Sequence, residues 1–227
     1  MYNDVSDFLP INSSFFHVAL IPDGARRWAR KNNISYNESY LVMVEKVVES
    51  IEYLFSHNVD VVSVYFSSIY NFKRPASEVV TFCEAETIFF NDLIQPVADT
   101  YKVAVHAVGD ISAMDSRMVN AINTVEQNTR KNTNKKLFIC VNYSSIVEMS
   151  KAADKTTDKS LVNYLSIPYP VNMLIRTGNA NVLSDFLLPQ CSFARLFFLR
   201  KLFNDITCAD YRRLLKKYRE YDLKYGE

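Results

Sequence analysis

The chain has 227 residues, 48% of them apolar and 22% charged, and its 26 basic and 25 acidic residues leave a net charge of +1. This composition excludes a disordered chain and a collagen-like chain, and the balanced charge argues against a partner made of nucleic acid. No apolar run reaches the roughly 18 residues of a membrane span, and the first residues lack an export pattern, so we expect a cytoplasmic protein without a transmembrane segment.

Apolar, β-branched runs alternate with helical stretches along the chain. The runs are continuous, as is typical of strands covered on both faces, and they predict strands at 17–21, 61–66, 103–108, 137–141, 171–175 and 196–199. Apolar residues at helical spacing predict helices over 41–55, from Pro75 to about Val97, over 112–130 and from Thr207 onward. We therefore expect a polar leader at 1–14 and a single α/β domain at 15–227, with a central, mainly parallel six-stranded sheet flanked by helices.

Glycine is scarce, with only four in the chain, and three of them follow apolar runs. They stand beside charged residues in Asp23-Gly24, Gly109-Asp110 and Arg176-Thr177-Gly178. A chain this poor in glycine is expected to use it where the backbone requires it, and ligands collect at the carboxyl ends of parallel strands. These segments therefore predict a binding site. Neither a GxGxxG motif nor a Walker loop is present, which disfavours a nucleotide ligand.

The first of three polar segments is Pro22-Asp-Gly-Ala-Arg-Arg-Trp28, where a strand ends and a helix begins. The helix dipole, its free N–H groups, Arg26 and Arg27 together predict an anion pocket. Asp23 beside that pocket could hold a magnesium ion that bridges to a phosphate. A helix N-cap aspartate with solvated arginines explains the same residues equally well.

The second and third segments follow later strands. Residues 65–75 mix aromatic side chains with Lys73 and Arg74, which suits an apolar tail with a charged head. Residues 174–188 contain Arg176 and Ser184, which could bind a second anion. A packed loop and a structural ion pair remain open alternatives for these two segments.

The three segments match one family in order and spacing, and the chain resembles the cis-prenyltransferases, such as undecaprenyl diphosphate synthase, from about His17 to Asp210. The segments resemble the family's Asp-Gly-Asn-Gly-Arg-Trp, Phe-Ser-x-Glu-Asn-Trp-x-Arg-Pro and Arg-Thr-Gly-Gly-Glu-x-Arg-Leu-Ser-Asn-Phe-Leu-Leu motifs. Gly109-Asp110 and Asn142-Tyr143 also fall on pairs of the family. The resemblance implies a homodimer, with residues 193–203 as its contact, and a hydrophobic tunnel that binds an allylic diphosphate, isopentenyl diphosphate and Mg²⁺.

The resemblance also implies roles for individual residues. Asp23 would handle metal and phosphate, and Arg27 and Arg74 would clamp the allylic diphosphate, which makes these three the catalytic candidates. The remaining positions carried over from the family are candidates for substrate binding: Gly24, Ala25, Arg26, Tyr40, Ser67, Ser68, Asn71, Arg176, Ser184 and Arg195.

Departures from the regular family pattern bear on the substrate. Ala25 and Arg26 replace Asn and Gly, Tyr40 replaces a His, and the second segment is one residue longer than usual. These features resemble cyclolavandulyl diphosphate synthase, which joins two dimethylallyl diphosphates irregularly and closes a ring. Val182 stands where the family has a second Arg, and Arg195 where it has a metal-binding Glu, so a magnesium-bridged second diphosphate would be hard to hold.

The sequence therefore predicts a prenyltransferase that ionises a short allylic diphosphate, such as dimethylallyl diphosphate. Irregular, head-to-middle coupling of two C5 units, which can end in cyclisation, is the first expectation. Four alternatives stay open: transfer to an aromatic acceptor without a diphosphate, ionisation of a single substrate as in a terpene synthase, regular short-chain cis synthesis, and a non-catalytic partner subunit.

Overall fold

The structure, a computed structural model, describes residues 15–155 and 161–220, and the leader predicted at 1–14 lies outside these residues. Within them, the strands are β1 His17–Ile21, β2 Val61–Tyr65, β3 Val103–Gly109, β4 Lys135–Val141, β5 Met173–Arg176 and β6 Arg195–Phe198. These six described strands form one sheet in the order β3-β4-β2-β1-β5-β6, and every neighbouring pair is parallel. The prediction of a mainly parallel, six-stranded α/β sheet is confirmed.

The centre of the sheet determines where the predicted site forms. β1 lies between β2 and β5, and every residue of these three strands is buried. Burial on both faces explains why the strands are continuous apolar runs. Because the three strands are parallel neighbours, the segments after Ile21, Tyr65 and Arg176 leave the sheet at one edge, side by side.

The helices cover the sheet and are α1 Ala25–Asn32, α2 Tyr36–Ser56, α3 Ala76–Ile88, α4 Ile94–Tyr101, α5 Ser116–Thr129, α6 Ser145–Lys155 and α7 Cys208–Arg219. A π-helical turn at Phe89–Leu93 joins α3 to α4, so the helix predicted from Pro75 continues without a break to Tyr101. The predicted capping box of Thr207 and Asp210 opens α7. In the described part of the chain, no helix is both long and apolar enough to cross a membrane.

Two buried clusters pack against opposite faces of the sheet. Val18 and Leu20 of β1 belong to the larger cluster, which α2, α3 and the π-helical turn cover, whereas Ala19 and Ile21 belong to the smaller one. This alternation is what a pleated strand requires. The larger cluster includes a group of phenylalanines on α3 and the π-helical turn, so the inner surface of α3 that faces the site is strongly apolar.

Candidate functional site

A cavity of about 730 Å³ opens at the carboxyl ends of β1, β2 and β5. This is the edge at which parallel α/β sheets bind their ligands. The carboxyl ends of these strands and the segments after them, together with α1, supply its arginines, and α2 and α3 supply Met43 and Phe82. The predicted site residues that line it are Asp23, Gly24, Ala25, Arg26, Arg27, Tyr40, Ser67, Ser68, Asn71, Arg74, Arg176 and Ser184.

Asp23 lies at the centre of the charged end of the cavity. Its Oδ1 accepts a hydrogen bond from Nη2 of Arg27 at 2.8 Å, and its Oδ2 accepts one from Nη2 of Arg176 at 3.0 Å. Its backbone N–H donates to the Thr177 hydroxyl at 2.9 Å, and that hydroxyl donates to its carbonyl oxygen at 2.8 Å. Asp23 thus links the segment after β1 to the segment after β5. The alternative of an N-cap aspartate is wrong, because the N-cap of α1 is Gly24.

Arg176 is the most enclosed cation of the cavity, with 9% of its side chain exposed. Nη1 donates to the Ser184 hydroxyl at 2.6 Å and to the Val182 carbonyl oxygen at 2.7 Å, while Nη2 pairs with Asp23. A structural ion pair, one of the two interpretations from sequence, is therefore present. Arg176 and Ser184 bond to each other, and the buried Nε of Arg176 has no hydrogen-bond partner among the described residues.

Glu78 organises a second group of cations and was missed by sequence reasoning. Its Oε1 accepts from Nη1 of Arg74 at 2.8 Å and lies 3.3 Å from Nη1 of Arg26. The Tyr40 hydroxyl lies 3.4 Å from the same oxygen, and burial raises the pKa of Tyr40 to about 12, so this phenol stays protonated. The usable sequence signal was the spacing of Arg74 and Glu78, four residues apart at the start of a helix.

Glu86 lies at the apolar end of the cavity, where Met43, Phe66 and Phe82 also line the wall. The residue is 1% exposed, and the Ser67 hydroxyl lies 3.3 Å from its Oε2. Burial raises the pKa of the Glu86 carboxyl to about 8. Sequence reasoning missed this residue too. The available signal was its position four residues after Phe82, on the stripe of α3 that faces the core.

Arg195 is the predicted site residue that the structure places elsewhere. It begins β6 and therefore lies at the amino end of a strand, whereas the cavity opens at the carboxyl ends. Its guanidinium donates to the backbone carbonyl oxygens of Tyr218 and Lys217 and lies over the rings of Phe197 and Tyr218. Arg195 is therefore outside the described lining of this cavity, because the length of β6, roughly 10 Å, separates the two edges, and its substrate role stays a prediction.

Comparison with known proteins identifies the family of the chain. The sequence model of the family described as "Putative undecaprenyl diphosphate synthase" matches residues 21–226. An isoprenyl transferase of Campylobacter jejuni (strain RM1221) is 28% identical over 218 residues, which are 93% of this chain and 98% of that protein.

Two crystal structures share the fold. Lavandulyl diphosphate synthase from Lavandula x intermedia, in complex with dimethylallyl diphosphate, has a TM-score of 0.86 at 24% identity and covers 93% of this chain and 98% of its own. A probable undecaprenyl diphosphate synthase from Campylobacter jejuni has a TM-score of 0.77 at 25% identity and covers 95% and 100%. The resemblance to the cis-prenyltransferases is thereby confirmed.

The Glu86→Gln variant tests the buried carboxyl through its effect on stability. The pKa of the Glu86 carboxyl is about 8 in the folded protein and near 4.5 in the unfolded chain. Between these values the wild type therefore loses stability as the pH rises, by up to about 1.4 kcal/mol per pH unit, and the neutral amide does not. We expect the free energy of unfolding of the variant, measured with urea, to increase relative to that of the wild type as the pH rises from about 5 to about 8.

The matched control for this experiment is Glu84→Gln, because Glu84 lies on the same helix but is exposed. The difference in the free energy of unfolding between Glu84→Gln and the wild type should stay constant over the same pH range. A constant difference for Glu86→Gln as well would show that the Glu86 carboxyl is ionised in the folded protein at neutral pH.

Proposed function

The chain belongs to the undecaprenyl diphosphate synthase family of prenyltransferases, and we propose that it transfers the prenyl group of a short allylic diphosphate, such as dimethylallyl diphosphate, to a second C5 prenyl unit. The observation that carries this proposal is the two-sided cavity. Arginines surround Asp23 at one end, and Met43, Phe66 and Phe82 line the other. A prenyl diphosphate has the same two parts, a strongly anionic head and an apolar tail.

The charged end suits the departure of a diphosphate. When the bond between C1 and oxygen breaks, negative charge builds up on the leaving group, and fixed cations lower the energy of that transition state. Arg27 and Arg74 are held in place by Asp23 and Glu78 before any ligand arrives. This preorganisation supports their role as clamps of the allylic diphosphate. Gly24, Ala25 and Arg26 would border the same anion at the start of α1, where the helix dipole is favourable.

We further propose that Asp23 binds Mg²⁺ together with the diphosphate. Among the described residues, no three His, Cys, Asp or Glu side chains cluster as a metal site. One carboxylate plus substrate phosphates is nevertheless a usual set of protein and substrate ligands for Mg²⁺. Each Asp23 oxygen accepts one bond from an arginine and retains a further lone pair. The ion would neutralise charge on the departing diphosphate.

The second anion site bears on which acceptor the protein uses, because it has lost positive charge. Val182 contributes an exposed apolar side chain, 57% accessible, where the regular family pattern has an arginine, and Arg176 is already engaged by Asp23 and Ser184. The acceptor is thus bound with less positive charge than isopentenyl diphosphate meets in a regular enzyme. The lower charge favours a second candidate, an acceptor without a diphosphate. Dimethylallyl diphosphate carries the same diphosphate as isopentenyl diphosphate, so irregular coupling is favoured instead by Ala25, Arg26 and Tyr40.

We also propose a homodimer that forms through residues 193–203. Phe193 and Leu196 in this segment are large apolar residues with nearly half of their surface exposed. Exposed apolar side chains that lie close together are typical of protein–protein contacts. A second copy of the chain would cover them.

Diphosphate release from dimethylallyl diphosphate tests the proposed activity. With Mg²⁺ and this substrate alone, we expect release together with a C10 diphosphate identified by mass spectrometry. Asp23→Asn should lower the rate about 100-fold or more, because it removes the carboxylate that orients Arg27 and Arg176. Asp205→Asn is the matched control, since Asp205 is equally exposed and ion-paired, with Lys31, but lies outside the cavity lining.

Other outcomes of this assay decide between the alternatives. Release that requires isopentenyl diphosphate would indicate regular elongation and would contradict irregular coupling. Release with dimethylallyl alcohol as the product would indicate a missing acceptor. An absence of release with C5, C10 and C15 allylic diphosphates would overturn the proposed activity in favour of a non-catalytic subunit.

Val182→Arg tests whether the missing cation sets acceptor choice. Val182 bonds to Arg176 through its backbone carbonyl, so a guanidinium at this position would start close to the second anion site. It should raise kcat/KM for isopentenyl diphosphate as second substrate about tenfold, the effect of one charge-assisted hydrogen bond to a phosphate. Val80→Arg is the control, because Val80 is similarly exposed but lies on α3, whereas the Val182 carbonyl oxygen accepts a hydrogen bond from Arg176. Equal kcat/KM values for the two variants would contradict this role of Val182.

A further inference from the structure

The carboxyl of Glu86 stands apart from the other acids of the cavity. Among the described residues that line it, Asp23 is paired with two arginines, and Asp185 accepts hydrogen bonds from the Ser144 hydroxyl and the backbone N–H of Ile146. In the part of the chain that the structure describes, Glu86 takes part in no salt bridge. Its hydrogen bond is with the neutral hydroxyl of Ser67.

The burial of a carboxyl without a cation beside it costs folding free energy. A carboxylate that leaves water without a cation beside it loses far more solvation free energy than a hydrogen bond from one hydroxyl returns. A buried, unpaired acid on the wall of a ligand cavity is therefore a candidate for chemistry rather than for stability.

The proposed reaction requires a base at the apolar end. The C1–oxygen bond of the allylic diphosphate breaks, and its electron pair leaves with the diphosphate. The π electrons of the acceptor then form the new carbon–carbon bond to C1, which leaves a cation on the neighbouring acceptor carbon. This cation becomes a stable product when an adjacent C–H bond gives its electron pair to a new double bond, and the proton must pass to an acceptor.

We propose that the carboxylate of Glu86 is that proton acceptor and that the Ser67 hydroxyl positions it. The assignment rests on the proposed function and deepens it, because it names the base of the same site. Glu86 lies two turns after Glu78 on α3, so about 12 Å of helix, with Phe82 in between, separates it from the pair of Glu78 and Arg74 at the cationic end. Met43, Phe66 and Phe82 line the same cavity and would enclose the hydrocarbon parts of both substrates. The proton would be released to solvent after the product has left.

The environment also suits the proton-accepting strength of this group. A general base is most effective when its pKa lies near the working pH, and burial brings that of Glu86 to about 8. The titratable group that interacts with Glu86 is the Cys83 thiol on α3, and burial raises its pKa to about 12. Burial also raises the pKa of the Tyr65 phenol on β2, which lines the same cavity. They stay protonated at neutral pH, so Glu86 titrates among neutral groups.

The test compares wild type, Glu86→Gln and the exposed-site control Glu84→Gln, each supplied with dimethylallyl diphosphate and Mg²⁺. Diphosphate release and the prenyl products are measured as a function of pH. For the wild type and the control, we expect the formation of coupled product to rise with pH up to about 8. For Glu86→Gln we expect a loss of about 100-fold in the deprotonated coupled product and no rise with pH. Water would instead capture the coupled cation and give a hydroxylated C10 diphosphate.

Two outcomes would overturn the assignment, and they have different meanings. If the wild type forms coupled product and Glu86→Gln retains both its rate and its pH profile, Glu86 is not the base, although the proposed function stands. If the wild type releases no diphosphate, the proposed function fails and the assignment fails with it. An unchanged KM for dimethylallyl diphosphate in Glu86→Gln confirms that the variant retains a folded site and that the lost step follows binding.

Discussion

The ion pair between Asp23 and Arg176 is the interaction on which the rest of the site depends. It joins the segment after β1 to the segment after β5, the two loops that leave the centre of the sheet. The Thr177 hydroxyl strengthens this link, because it accepts a hydrogen bond from the N–H of Asp23 and donates one to its carbonyl oxygen. Because Arg176 is almost completely enclosed, Asp23 supplies the charge that it needs, and the pair fixes where the anion pocket lies.

A second carboxylate, Glu78, does the same for the opposite wall. It holds Arg74 and Arg26 with their guanidinium groups beside the cavity, so the cations are in position before a ligand enters. The described lining of the cavity includes five arginines and three carboxyls, which leaves an excess of positive charge at one end. The apolar end carries a single acid, Glu86, so charge separation along the cavity orients a ligand with an anionic head and a hydrocarbon tail.

Much of this arrangement could be predicted from the sequence, because its determinants are local. Strands buried on both faces leave continuous apolar runs, and polar residues placed directly after them must meet at one edge of a parallel sheet. The helix α6 was not predicted, because its buried residues, Ser145 and Ala152, do not form an apolar stripe. β5 begins at Met173 and ends at Arg176, slightly later than its apolar run, because its pairing with β1 sets its bounds.

The parts that sequence could not give depend on packing. Glu78 and Glu86 look like ordinary helix-surface acids until the face of α3 that meets the cavity is known. Arg195 occupies the position of a family ligand along the chain, but the direction of β6 carries it to the other edge of the sheet. Position in a motif therefore placed residues near strand ends at one cavity, whereas Arg195, at a strand start, lies outside its described lining.

The cavity is proposed to hold its substrate in one orientation, with the diphosphate against the arginines and the hydrocarbon tail toward Glu86. A crystal structure of the protein with the non-ionisable thiolo analogue of dimethylallyl diphosphate measures this directly. The account predicts the diphosphate within hydrogen-bonding distance of Arg27 and Arg74, and the dimethylallyl group in contact with Phe82 and closest to the Glu86 side of the cavity. A diphosphate bound away from these arginines, or a dimethylallyl group directed into solvent, would contradict it.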